Sequence, residues 1–348
     1  MKSFNMFLSH LGMDGSMTSM KKASFEVALK EKKQIAERTM TFVFEKPKDF
    51  QFKAGQHVRL TLLNPHETDS KGNSRFMTLA NTPQDKDLVV AMRMTNSAFK
   101  RVLSNLKIGE KVLIQILLGV PHGAFALHDD PSRPAVFLTG GIGMVPAYSM
   151  IKDATERKLP HELFLFYSNR RPEDSPYLGE LQTLEKQNPN FKLIATMTQI
   201  EKSKQSWQGE TGFINQSMLN KHIDDLNFPI YYIAGLTDMV NSMKTLLKDL
   251  KVSEVNIKAE DFSGSKMSIM NMNQNSKKSK NYLVIAAIGL MILFGILTHA
   301  GAIISIFRNG FNATSFNNPL FYLMIGVMLV AFKVKFKYLL KYKHATKK

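Results

Sequence analysis

A chain of 348 residues has room for two soluble domains. It has no cysteine, which excludes disulfides, thiolate zinc sites and cysteine-held iron–sulfur clusters. The formal charge of +17 is lopsided: the chain after Asp261 carries twelve Lys or Arg and no acidic residue, leaving about +5 for the rest, and this argues against nucleic-acid binding.

Residues 1–22, rich in Met and Ser, read as a loose extension, because the apolar stretch 6–11 is too short for a signal-peptide core. From 23 to 130, short apolar runs alternate with turn signals. Residues 39–44, 57–63, 77–80, 88–94 and 111–118 read as strands. Gly55, Asn64-Pro65, Lys71-Gly72-Asn73 and Gly109 punctuate them, and 98–106 reads as one short helix. This spacing suits a small antiparallel β-barrel.

The pattern changes over 131–264. Strand-like runs at 135–138, 162–167, 191–197 and 230–233 alternate with helical runs at 147–157, 177–187 and 238–250. Such alternation predicts an α/β domain with a parallel sheet. Between the first strand and its helix stands Thr139-Gly140-Gly141-Ile142-Gly143, with Pro146 in the opening turn of the helix. Glycines there let backbone N–H groups approach a phosphate at a helix N-terminus. The spacing is not that of the dinucleotide fingerprint, so the turn alone is equally a tight turn.

Residues 265–280 are a linker by composition. In 281–348, the stretch 282–307 has no charged residue and is long enough to cross a bilayer as a helix. The run 319–332 is shorter and either spans or lies in the interface. Lysines 277, 278 and 280 precede the first run, seven lysines follow the second, and only Arg308 lies between. The expectation is a transmembrane hairpin with both ends and the N-terminal domains cytoplasmic. His299 inside the first run is a packing residue or a ligand, and no metal motif accompanies it.

Seven motifs in order then resemble the ferredoxin–NADP reductase-like flavoprotein oxidoreductases over about residues 25–264. They are Phe52-Lys53-Ala54-Gly55-Gln56-His57-Val58, Arg75-Phe76-Met77-Thr78-Leu79-Ala80-Asn81, Gly119-Val120-Pro121-His122-Gly123-Ala124-Phe125, the glycine turn, Tyr167-Ser168-Asn169-Arg170, Ala234-Gly235 and Glu260-Asp261-Phe262-Ser263-Gly264. The resemblance implies an FAD-binding barrel at 23–130 and an NAD(P)-binding α/β domain at 131–264. It implies that Arg75 holds the flavin pyrophosphate, a task suited to its planar charged fork. Phe76, Met77 and Thr78 would line the flavin ring, with Thr78 at its reactive edge. Met92, Arg93, Met94, Ser97, Ala98 and Phe99 would line its phosphates, chiefly through backbone N–H groups and the Ser97 hydroxyl. NADPH or NADH would lie on Thr139–Gly143, Pro146, Ser168, Asn169, Arg170, Ala234, Gly235 and Met239, and Arg170 with Arg171 would meet a 2′-phosphate. Glu260 and Phe262 would stand at the flavin–nicotinamide junction.

Three positions depart from the family: Met77 replaces the usual aromatic, Ala234 replaces a frequent cysteine, and Leu236 stands after Gly235 where many relatives have proline. Methionine still packs on a ring through its sulfur. The expected activity is a membrane-anchored FAD-dependent NAD(P)H oxidoreductase. Its acceptor would be a separate one-electron carrier or membrane redox partner: a ferredoxin, flavodoxin, haem protein or quinone. The alternative is a membrane-tethered flavin- or nucleotide-binding regulatory module without turnover.

Overall fold

The computed structural model describes residues 21–118 and 125–262, which lie in one compact unit, Met1–Met267. Six antiparallel strands come first: β1 (Lys21–Ala36), β2 (Thr39–Glu45), β3 (His57–Leu62), β4 (Ser74–Thr78), β5 (Asp87–Arg93) and β6 (Lys111–Leu118), in the spatial order β4-β3-β6-β1-β2-β5. Period-two patterning builds their core, as in β3, where Val58, Leu60 and Leu62 turn inward. The sheet curls until its edges meet at the Leu79–Val90 bridge, supported by Ala80 N–H to the Val89 carbonyl at 2.7 Å. One helix, α1 (Ala98–Asn105), covers this near-barrel, capped by Ser97, whose hydroxyl accepts from Lys100 N–H.

Two barrel expectations are corrected. The strand expected at 77–80 runs from Ser74 to Thr78, because β4 pairs with β3 from Ser74–Thr61 to Thr78–His57. The long β1 is absent from the strands expected of the sequence. Its first part pairs with β6 and its second with β2, with register shifts at Leu29/Glu31 and Gln34/Ala36.

The second sheet is parallel. Its strands are β7 (Ala135–Gly140), β8 (Leu163–Asn169), β9 (Phe191–Met197), β10 (Glu210–Thr211), β11 (Ile230–Gly235) and β12 (Ile257–Asp261), ordered β10-β9-β8-β7-β11-β12. Between them lie α2 (Val145–Glu156), α3 (Leu178–Gln187), α4 (Gln216–Asn220) and α5 (Thr237–Asp249). Phe137, Leu165, Tyr167 and Tyr232 pack with α2 and α3, while Val136, Leu138, Phe166 and Ile233 pack with α4 and α5. Both faces are covered, so the strands read as continuous apolar runs. Strand order reverses between β7 and β11, and ligands of such sheets bind beyond the carboxyl ends at that reversal.

The two sheets share a polar seam. Ser149 on α2 donates to the Asn81 carbonyl at 2.8 Å and accepts from Gly55 N–H at 3.2 Å. Gly55 has φ +86°, and a Cβ there would sit 2.5 Å from the Phe125 carbonyl oxygen, so the position requires glycine. Among the described residues no helix is long and apolar enough to cross a membrane. The runs at 282–307 and 319–332, the linker, the 1–20 segment, His299 and residues 119–124 of the barrel-closing motif lie outside the described residues.

Candidate active site at the seam of the two sheets

The glycine turn does what its composition suggests. Gly140 ends β7, residues Gly141–Met144 form a 3₁₀ turn, and α2 follows with Pro146 in its first turn. Gly143 packs flat against the end of β11: a Cβ there would lie 2.6 Å from the Ala234 carbonyl oxygen and 2.6 Å from Gly235 Cα. Gly141 adopts φ +53°, and a Cβ at Gly140 would meet the Met239 sulfur. Met239, on α5, also lies 2.9 Å from a Cβ built at Gly235. The structure thus gathers Gly140, Gly143, Ala234, Gly235 and Met239 at the strand-order reversal. Ile142 is half-buried beside them.

A row of register partners crosses the sheet at this level: Glu260, Ala234, Thr139 and Tyr167 on β12, β11, β7 and β8. Thr139 is fully buried and its hydroxyl has no hydrogen-bond partner. Glu260 Oε2 is also buried and unpartnered. Across the seam, Thr78 at the end of β4 is buried and its hydroxyl is unpartnered too. Buried polar atoms in folded proteins are normally satisfied. Four such exceptions, these three and Asn169 Nδ2, fall at expected site positions, where an additional group would satisfy them.

His57 lies outside the site residues expected of the sequence. It is the register partner of Thr78, and its Nδ1 stands 3.8 Å from Glu260 Oε1, which joins the two sheets. Burial pushes the Glu260 carboxyl up to about 8 and lowers His57 below its ordinary value. Both groups are therefore held neutral near pH 7, and the contact is a neutral pair rather than an ion pair. The His57 ring also meets Phe76 edge-on at 5.5 Å, and Phe76 is exposed. Phe262 packs against the core beside Ala234, with its N–H donating to the Gly235 carbonyl at 3.0 Å.

The flavin-phosphate residues divide. Met92, Ala98 and Phe99 are buried in the barrel core, so their side chains are packing groups. Met77 and Met94 are half-buried against that same core. Arg93 ties the barrel to the second sheet: it donates to the Glu37 carbonyl at 3.1 Å and to Asp174 Oδ1 at 3.3 Å. Arg75 lies over the Phe99 ring at 4.8 Å and donates two hydrogen bonds to the Asp69 carboxylate, at 2.8 and 2.9 Å. Asp69 also accepts from the Lys71 N–H at 2.9 Å. A carboxylate of the chain itself therefore occupies the arginine fork expected to hold a phosphate.

At the end of β8, Ser168 is half-buried, Asn169 is buried and Arg170 is exposed. Arg171 pairs with Asp174 at 2.9 Å and with Glu37 on the barrel. Burial opposes ionisation of Asp174, but Arg171 and Arg93 together hold its carboxyl below the usual range. Asp174 is a second residue that the sequence alone does not single out, and its contact with Arg93 spans 81 positions.

Residues 137–245 match the family model described as "Oxidoreductase NAD-binding domain". The chain is 25% identical to the reductase component 1 of terephthalate 1,2-dioxygenase from Comamonas, over 62% of this chain and 60% of that one. It is 26% identical to one component of the Na(+)-translocating NADH-quinone reductase of Idiomarina loihiensis, over 69% of this chain and 64% of the relative. It therefore spans less than two thirds of either relative. A ferredoxin NADP+ reductase from Neisseria gonorrhoeae, solved with bound FAD and NADP, superposes with a TM-score of 0.55 at 19% identity, covering 68% of this chain and 98% of that one. The described residues have the two-sheet fold seen in that ferredoxin NADP+ reductase, and positions 137–245 within it are similar to oxidoreductase NAD-binding domains.

Proposed function

We propose that the chain is an FAD-dependent NAD(P)H oxidoreductase that passes electrons through flavin to a separate carrier, anchored in the membrane by its C-terminal hairpin. The observation that carries this reading is the seam, where three buried polar atoms, Thr78 Oγ1, Thr139 Oγ1 and Glu260 Oε2, lack partners beside the glycine turn. The printed functions of the relatives support it: a dioxygenase reductase component and a component of an NADH-quinone reductase.

Bound flavin would supply the redox chemistry, accepting two electrons together and releasing them singly. The protein's part is position and charge. The Gly140–Gly143 turn and the N-terminus of α2 offer backbone N–H groups to the nicotinamide dinucleotide's phosphates. Arg75 and the first turn of α1 offer the same to the flavin's phosphates. Thr78 presents a hydroxyl at the seam. Glu260, held protonated by burial, can give up a proton there, and His57 is the group placed to receive or return one. Phe262 shields the seam from water. Of the two arginines after β8, Arg170 remains exposed for a 2′-phosphate, since Arg171 is committed to Asp174 and Glu37.

The acceptor in this reading is a one-electron carrier such as a ferredoxin, flavodoxin or haem protein, or a membrane quinone. Anchoring rests on the sequence alone: the uncharged run 282–307, the second run 319–332 and the lysines that flank them. The test is the visible spectrum of the full chain purified in detergent. A flavin absorption band that bleaches when NADPH or NADH is added without oxygen supports the reading. A chain that neither retains nor takes up FAD, or whose flavin stays oxidised with both nucleotides, refutes it.

A further inference from the structure

The loop between β3 and β4 carries two carboxylates, and both point back onto cations. Asp69 engages the Arg75 fork, and Glu67 engages Arg101. The cations are crowded. Lys100 is lowered from its ordinary value by burial and by the nearby charges of Arg75, Lys71 and Arg93. Arg93 is neutralised elsewhere by Asp174. Arg75 and Arg101 each pair with one of the two carboxylates, and Lys100 beside Arg75 adds positive charge that a further anion would relieve.

Asp69 is held as a phosphate would be held. It takes a bidentate bond from a guanidinium and a backbone N–H from Lys71. Arg75 Nη1 is meanwhile occupied by the carbonyls of Lys71, Gly72 and Ser74, at 3.0, 2.9 and 2.8 Å. The Nη2 edge under Asp69 is thus the side of the fork that an entering anion must win.

We propose that Asp69 is an internal counter-anion that competes with the flavin's phosphates for Arg75. It thereby sets how strongly the chain distinguishes phosphorylated flavins from riboflavin. The proposal rests on the reading that this cradle holds flavin phosphate. Phosphate binding requires the Asp69 carboxylate to swing away with its loop. Once displaced, it remains a like charge near the bound phosphate and opposes it.

The experiment uses the full chain in detergent, freed of flavin and titrated with riboflavin, FMN and FAD by flavin fluorescence. Wild type, Asp69→Asn and Arg75→Ala are compared, with thermal unfolding as the check on folding. Asn keeps the shape of Asp but removes its charge. The expected result is that Asp69→Asn tightens FMN and FAD about tenfold and leaves riboflavin unchanged, while Arg75→Ala weakens FMN and FAD only. If Arg75→Ala weakens the phosphorylated flavins but Asp69→Asn leaves them unchanged or weaker, Asp69 is a loop tether and the proposal fails alone. Equal tightening for riboflavin also overturns it, since the effect would then not act on phosphate. If neither variant alters FMN or FAD binding, the phosphate assignment of the cradle fails and the proposal falls with it.

Discussion

Gly143 and Gly140 are three positions apart, yet alanine has a different consequence at each. At Gly143 the new methyl would strike the backbone of Ala234 and Gly235, which cannot step aside without moving β11. At Gly140 it would strike the end of the flexible Met239 side chain. Gly143→Ala should therefore cost about 2 kcal/mol of stability and weaken NAD(P)H binding, while Gly140→Ala costs well under half of that. Thermal unfolding and nucleotide titration of the two variants check this. Equal losses would mean that the turn does not pack as described. Glu260 gives a second residue-scale expectation. Its folded value of about 8 lies above the ordinary 4.5, so the folded chain keeps a proton that the unfolded chain releases. The sign follows: this contribution to stability is fully present below 4.5 and drains away as pH rises to about 8. The midpoint of unfolding should fall more steeply across that window in wild type than in Glu260→Gln. Parallel curves would show that the carboxyl is not held neutral.

Among the elements, β8 and its following turn separate two arginines that the sequence presents as a pair. Arg170 is exposed, whereas Arg171 reaches across to Glu37 at the end of the barrel's first hairpin. Arg170→Ala should raise KM for NADPH more than for NADH, because only NADPH carries the extra phosphate. Arg171→Ala should lower Tm and affect both nucleotides alike, since it deprives buried Asp174 of a partner. Steady-state kinetics with both nucleotides distinguish these, and a NADPH-selective effect at Arg171 would reverse the assignment. Elements differ in the same way in how much of them a sequence reveals. The strand at Phe191–Met197 is bounded by polar turns and has the expected limits. The second half of β1 is not legible, because Lys30, Glu31, Lys33 and Gln34 face solvent and hide its periodicity. β12 is readable only as a motif, since its residues are half-buried on both faces. The glycine turn is legible because its backbone demands are local. The roles of His57, Asp69 and Asp174 are not, because each depends on a partner brought near by the fold. For Asp69, the acidic residue six places before Arg75 is the available signal.

For the whole molecule, every cofactor motif expected of the sequence precedes the linker. Truncation after Gly264 should give a chain that stays in solution without detergent and binds flavin with the affinity of the full chain. Loss of flavin binding with the fold retained would mean that the C-terminal segment completes the site. The central claim is that electrons pass from NAD(P)H through flavin to a separate one-electron acceptor, and anaerobic reduction of ferricyanide by the full chain in detergent tests it most directly. Sustained turnover with NADH or NADPH is expected, lost when flavin is removed and restored on adding FAD. Nucleotide-independent turnover, or none with FAD bound and both nucleotides supplied, would contradict it.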